Sequence, residues 1–110
     1  MTDNSIDIFL EKNKNKKVVV VQGLGFVGAV MSIVCANSET ENYAVIGVDI
    51  PKNIGIIEKL NKGEFPIKSI DPKIQEYYEN SRKKGNFLAT CNNIAYSYAD
   101  TVIVDINLDV

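Results

Sequence analysis

The feature that most constrains the fold of this chain is an unbroken run of four valines, residues 18–21, that leads directly into a glycine-rich turn. β-Branched residues in continuous series favour a strand that is buried on both faces, as in a parallel sheet. Glycines follow at positions 23, 25 and 28, and the segment after them has helical hydrophobic spacing. A strand, a tight glycine turn and a helix in this order predict the first half of a βαβ unit.

The rest of the chain alternates between strand and helix patterns. We predict strands over residues 43–48, 86–90 and 101–106, helices over residues 5–12, 27–37, 54–60 and 72–84, and one or two helical turns within residues 92–98. This order predicts an α/β fold, namely a Rossmann-like open parallel sheet with helices on both faces. We divide the chain into a leader with a short helix, residues 1–16, and a Rossmann-like domain, residues 17–110.

The helix after the glycines has its own predicted orientation. Apolar residues recur at helical spacing, and they are Val27, Val30, Met31, Val34 and Cys35. Residues with this spacing share one face of a helix. We therefore expect this face to cover the sheet.

Composition excludes several classes of function. Twelve Lys and Arg against 14 Asp and Glu, without a basic cluster, argue against a nucleic-acid partner. The apolar runs are too short to span a membrane and the first residues lack a secretory signal, so we expect a cytoplasmic location. The chain has no histidine, and Cys35 and Cys91 stand 56 positions apart. A Cys/His zinc site and a histidine-activated nucleophile are therefore excluded within these residues, and we predict neither a metal nor a catalytic residue.

The glycine turn is the predicted ligand site. Backbone N–H groups of residues 24–28 are expected to be free donors at a helix N-terminus, which suits a pyrophosphate. Asp49 follows Gly28 by 21 residues, at the end of the second predicted strand, where a carboxylate accepts hydrogen bonds from a ribose. The candidate cofactor-binding residues are Gly23, Leu24, Gly25, Phe26, Val27, Gly28, Asp49 and Lys52. The alternative is a tight turn without a ligand.

Charge near the ribose position favours one dinucleotide. The Asp49 carboxylate would repel a 2′-phosphate, so NAD is predicted over NADP. Lys52 either neutralises part of that repulsion or is a solvated loop lysine. Gln22 points either to solvent or to the diphosphate. Asp105 either faces the crevice at the end of the fourth strand or is solvated.

Five segments carry a family resemblance. They are the glycine motif at 23–28, Val-Ile-Gly-Val-Asp-Ile at 45–50, Leu-Asn-Lys-Gly-Glu-Phe-Pro-Ile at 60–67, and Phe-Leu-Ala-Thr at 87–90 with Ala-Asp-Thr-Val-Ile-Val at 99–104. Together they resemble the N-terminal domain of the UDP-glucose/GDP-mannose dehydrogenase family. The segment at 60–67 is the one most particular to nucleotide-sugar dehydrogenases.

The resemblance implies a cofactor and a parent enzyme. It implies that residues 23, 25, 26, 27 and 28 hold the pyrophosphate of NAD and that Asp49 holds the ribose. It further implies oxidation of the C6 alcohol of a UDP- or GDP-sugar to the uronic acid, in polysaccharide biosynthesis, through a cysteine-bound intermediate. Cys91 lacks the sequence context of that nucleophile, so we expect this fragment to be inactive alone. Family members commonly form homodimers through a middle domain, which is absent from this chain.

Two other functions compete with this interpretation. A non-catalytic dinucleotide-sensing or interaction module would keep the fold without the substrate domain. An S-adenosylmethionine-dependent methyltransferase is disfavoured, because such sites usually have an acid just before the glycines and this chain has Gln22.

Overall fold

Four parallel strands form the sheet of the computed structural model, which describes residues 4–64 and 72–104 apart from the side chain of Phe26. The strands are β1 (Lys17–Gln22), β2 (Tyr43–Val48), β3 (Phe87–Thr90) and β4 (Thr101–Val104). The helices are α1 (Ser5–Lys12), α2 (Phe26–Ala36), α3 (Ile54–Lys62) and α4 (Pro72–Lys84), with 3₁₀ helices at Pro51–Asn53 and Asn93–Tyr98. The predicted Rossmann-like α/β fold is confirmed. The last two residues of the predicted fourth strand, 105 and 106, lie outside the described residues.

The strand order places a crevice at one edge of the sheet. The order is β3-β2-β1-β4, so β1 lies between β2 and β4 and the direction of chain progression reverses there. Gln22 at the end of β1 is in register with Val48 of β2 and Val104 of β4. Ligands of open α/β sheets bind outside the carboxyl ends of the strands at such a reversal.

Helices cover both faces of the sheet, as predicted. On one face, Val19 and Val21 pack with Ala36 of α2. The neighbouring cluster on this side includes residues of α3 and α4, among them Leu60 and Tyr78. The opposite face is covered by α1 and by the 3₁₀ helix Asn93–Tyr98. The continuous valine run of β1 is therefore explained by burial on both faces.

The leader helix α1 is part of the core. Ile6 and Phe9 are buried in one cluster with Val18 and Val20 of β1. Just after the helix, the buried Asn13 side chain donates to the carbonyl oxygens of Phe9 (2.8 Å) and Gly85 (3.0 Å). These contacts fix α1 against the sheet.

The orientation of α2 differs from the prediction. Val27 and Val34 are 54% and 48% exposed, whereas Ala29, Ile33 and Ala36 are buried. The helix is apolar on nearly every side, so spacing alone did not distinguish its inner face. Small residues let the helix approach the sheet closely, and this close packing selected a different face from the one with the larger side chains.

The start of the segment at 60–67 closes the outer edge of the sheet. Leu60 is buried, and Asn61 exchanges two hydrogen bonds with the backbone of Ala89 in β3, at 2.8 and 3.0 Å. Gly63 ends α3 in the left-handed region, with φ of +104°. This Leu-Asn-x-Gly pattern thus has a structural reason: the Asn side chain takes the place of a neighbouring strand. Residues 65–67 lie outside the described residues.

The described ranges contain neither a membrane-spanning helix nor a metal-binding cluster. None of the helices within residues 4–64 and 72–104 is long and apolar enough to cross a membrane. In the same ranges, no group of three or more Cys, Asp or Glu side chains is arranged to hold a metal ion.

Packing of α1 predicts a difference between two neighbouring substitutions. Phe9→Ala is expected to lower the free energy of unfolding by about 3 kcal/mol, because it leaves a cavity under the helix. Ile8→Ala is the control, since Ile8 is 54% exposed, and its effect is expected to stay within about 0.5 kcal/mol. Urea denaturation measures both. Equal effects of the two substitutions would show that α1 does not contribute to the core.

Candidate functional site

A cleft of about 1040 Å³ opens at the carboxyl edge of the sheet. It is lined by Gln22 and Gly23 from β1 and its turn, by Asp49 and Pro51 after β2, and by Cys91 and Tyr96 after β3. The structure therefore brings two sequence-predicted site residues, Gly23 and Asp49, to the same cleft. Its position is the one expected from the strand order.

The glycine turn leaves β1 through a conformation that suits glycine. Gly23 has φ of +97°, in the left-handed region, and its N–H donates to the Val48 carbonyl oxygen at 2.8 Å. Gly25 has φ of −65° and is the N-cap of α2. A Cβ atom added at Gly25 would meet no atom within 4 Å. The backbone at residue 25 therefore borders open space.

Free donors follow at the start of α2. The first helical hydrogen bond runs from the Ala29 N–H to the Gly25 carbonyl oxygen, at 2.9 Å, and no side chain caps the helix. The N–H groups of residues 26–28 therefore have no partner within the helix. Together with the helix dipole they form a site for an anion.

Leu24 differs from the prediction of a free amide. Its N–H donates to Asp49 Oδ2 at 2.9 Å, and its side chain is fully buried. A Cβ atom on Gly47 would lie 2.5 Å from Leu24 Cδ2, so the glycine in β2 makes room for this leucine. The physical reason for the difference is that the carboxylate after β2 reaches the turn after β1 and takes one of its donors.

Asp49 is held by three donors. Besides the Leu24 N–H, the Ile50 N–H and Asn53 Nδ2 donate to Oδ1 at 2.7 and 2.9 Å. The side chain is half-buried. These bonds orient the carboxylate, whose two oxygen atoms accept all three of them. A ribose hydroxyl group is a donor of the kind that such a carboxylate binds.

The other candidates have less distinct positions. Lys52 is exposed on the 3₁₀ helix Pro51–Asn53 and does not line the cleft. Gln22 is exposed and does line it. Asp105 lies outside the described residues, so its predicted position at the crevice is not tested. The cofactor roles of Lys52 and Gln22 stay predictions.

Tyr96 is a cleft residue that the sequence analysis missed. It is half-buried, and burial raises the pKa of its hydroxyl group, which the negative charge of Asp49 raises further. The available signal was topological: residues after the end of a parallel strand meet the ligand edge of the sheet. Cys91, directly after β3, lines the cleft for the same reason.

Comparison with protein families gives one match. The model described as "UDP-glucose/GDP-mannose dehydrogenase family, NAD binding domain" matches residues 16–108. This range includes the glycine turn, Asp49 and all four strands, and it begins after α1. No curated protein sequence matches the chain significantly.

Solved structures with similar folds are nucleotide-sugar dehydrogenases. A GDP-mannose dehydrogenase from Pseudomonas aeruginosa has a TM-score of 0.67 and 26% identity, covering 81% of this chain and 19% of that one. An NDP-N-acetyl-D-galactosaminuronic acid dehydrogenase from Methanosarcina mazei Go1 has a TM-score of 0.74 and 26% identity, covering 96% and 22%. A UDP-N-acetyl-mannosamine dehydrogenase from S. aureus has a TM-score of 0.65 and 30% identity, covering 82% and 19%. This chain therefore spans about a fifth of the length of these proteins.

The electrostatic link between Asp49 and Tyr96 can be measured. Asp49→Asn is expected to lower the pKa of Tyr96, because a negative charge that disfavours the phenolate is removed. The pKa should remain above its ordinary value, since burial of the ring persists. An NMR pH titration with ring-labelled tyrosine reads this pKa directly. Asp7→Asn on α1 is the charge control, and an unchanged Tyr96 pKa in Asp49→Asn would contradict the link.

Proposed function

The chain belongs to the UDP-glucose/GDP-mannose dehydrogenase family, as its NAD-binding domain, and from this premise we propose how its residues hold the cofactor. The pyrophosphate of NAD binds the N–H groups at the start of α2, and the adenosine ribose binds Asp49. The observation that carries the proposal is the hydrogen bond that connects Asp49 to the glycine turn. The Leu24 N–H joins the Asp49 carboxylate to the turn that presents the free amides, at 2.9 Å.

The geometry of the turn fits a pyrophosphate. Open space at Gly25 lets phosphate oxygens approach the backbone without meeting a side chain. The first α2 amides and the positive end of the helix dipole supply hydrogen bonds and potential for a negative group. Leu24 takes part through its buried side chain and its bond to Asp49, which fix the shape of the turn rather than contact the phosphate.

The carboxylate of Asp49 fits a ribose with free hydroxyl groups. Three donors already hold it in place, so little freedom is lost on binding. A 2′-phosphate at this position would meet a fixed negative charge. Lys52 is exposed and off the cleft, so we assign it a weak, screened attraction to the cofactor at most.

We propose that the parent protein oxidises the C6 alcohol of a UDP- or GDP-sugar to the uronic acid. That oxidation takes two hydride transfers, and an NAD molecule bound here would be the acceptor in each, with water supplying the second oxygen atom of the acid. The residues of this chain would bind and orient the NAD, while the reacting cysteine and the sugar site belong to domains beyond these residues. The similarity to three nucleotide-sugar dehydrogenases supports this proposal.

We further propose a cytoplasmic location, a role in polysaccharide biosynthesis and a homodimer. The membership of the dehydrogenase family supports the first two proposals. The homodimer would form through domains outside this chain, as the family resemblance implies.

The role of Gly25 predicts a loss of binding without a loss of stability. Gly25→Val is expected to weaken NAD binding by about 10-fold, which is the effect of one lost hydrogen bond to a charged group. The fold should persist, because a Cβ atom at residue 25 meets nothing within 4 Å and a φ of −65° is ordinary for any residue. Isothermal titration calorimetry measures the affinity, and urea denaturation measures the stability.

Gly55→Val provides the matched control for this experiment. A Cβ atom at Gly55 also meets nothing within 4 Å, but this glycine lies on α3 and does not line the cleft. Its NAD affinity should equal that of the wild type. Undiminished binding by Gly25→Val would disprove the pyrophosphate assignment, and absence of wild-type binding at millimolar NAD would disprove the proposed function of this chain.

A further inference from the structure

Tyr96 presents an aromatic ring to the cleft. The residue lines the cleft together with Asp49, Pro51 and Val102. Its ring packs against the buried cluster beneath α1 and the 3₁₀ helix Asn93–Tyr98, which holds it in place. Within residues 4–64 and 72–104 its hydroxyl group makes no hydrogen bond. The side chain is therefore held at its base, and its hydroxyl group has no partner among the residues that the structure describes.

The position of Tyr96 is tied to that of the ribose ligand. Asp49 and Tyr96 line the same cleft, and after burial the charge of Asp49 is the second cause that raises the pKa of the Tyr96 hydroxyl group. In the proposed function Asp49 binds the adenosine ribose. The adenine base is joined to that ribose by a single bond, so the base must occupy the part of the cleft beside Asp49.

Exposed apolar side chains line the cleft together with Tyr96. Among them, Ile50 follows Asp49 directly and Val102 lies on β4, and they are 57% and 44% exposed, which is high for large apolar side chains. Pro51 and the ring of Tyr96 add further apolar surface. A purine has two flat, apolar faces and polar edges, so it could cover these side chains while its edges remain hydrogen-bonded.

We propose that Tyr96 recognises the adenine base of the dinucleotide by stacking its ring against the base. The proposal rests on the proposed function, because the ribose on Asp49 determines where the base lies. The hydroxyl group stays protonated at neutral pH and donates to a ring nitrogen or to a ribose oxygen. Tyr96 thus binds the adenosine half of the cofactor, and the α2 amides bind the pyrophosphate.

Binding of cofactor fragments tests the adenosine half of the site separately from the rest. Tyr96→Leu is expected to weaken AMP, ADP-ribose and NAD by about 10-fold each, because base–aromatic stacking is lost. Tyr96→Phe keeps the ring, so its affinities for these ligands should stay within about 3-fold of the wild type. This difference corresponds to the loss of one neutral hydrogen bond. Binding of nicotinamide mononucleotide should be unchanged in both variants. Calorimetry measures all four ligands.

Tyr98→Leu is the matched control. Tyr98 lies on the same 3₁₀ helix, is exposed and does not line the cleft. The chain has five tyrosines and no tryptophan, so tyrosine emission can be observed directly. AMP should quench this emission in the wild type and in Tyr98→Leu, but not in Tyr96→Leu. Equal AMP affinity of Tyr96→Leu and the wild type would overturn the proposal.

An experiment on the unmodified chain guards against misfolding of the variants. With ring-labelled tyrosine, saturating AMP should shift the NMR signals of Tyr96 by the ring current of the base and leave those of Tyr98 in place. Unshifted Tyr96 signals in a chain that binds NAD would overturn the stacking proposal alone. A wild-type chain that binds neither AMP nor NAD would overturn the proposed function and this proposal together.

Discussion

The hydrogen bond from the Leu24 N–H to the Asp49 carboxylate is the interaction on which the site depends. It joins the turn after β1 to the residue after β2, across the pair of strands at the centre of the sheet. The Ile50 N–H and Asn53 hold the other carboxylate oxygen, so Asp49 cannot turn away. A single side chain therefore fixes the shape of the glycine turn and, in the proposed function, also accepts from the ribose. Because one carboxylate has both roles in the proposed function, the turn and the proposed ribose acceptor are held relative to each other before any ligand binds.

Close packing beneath the turn makes this arrangement possible. Leu24 is buried over Gly47 of β2, where any side chain would displace it. Small residues on the inner face of α2, such as Ala29 and Ala36, bring the helix near the sheet. The N-terminus of α2 thus lies directly over the strand ends. The same closeness leaves Val27 and Val34 outside, although both are large and apolar.

Local patterns predicted the elements well and their orientation less well. The strand Tyr43–Val48 and the helix Pro72–Lys84 have their predicted limits, because alternation of apolar runs with Pro and Gly signals depends on neighbouring residues alone. The prediction of which α2 face covers the sheet was wrong, because a helix that is apolar on all sides has no polar face to mark the solvent side. The predicted free amide at Leu24 was also wrong, because its partner Asp49 is 25 positions away in the chain.

The sequence by itself determined the fold class, the family and the two chemical features of the site, the glycine turn and the acid after the second strand. Each is encoded in a short segment whose conformation follows from steric and hydrogen-bonding rules. Only the tertiary structure decided which α2 residues face the sheet, that α1 completes the second layer, and that Tyr96 reaches the cleft beside Asp49. These three features depend on which distant segments the parallel sheet brings together, and the spacing of residues along the chain does not determine that.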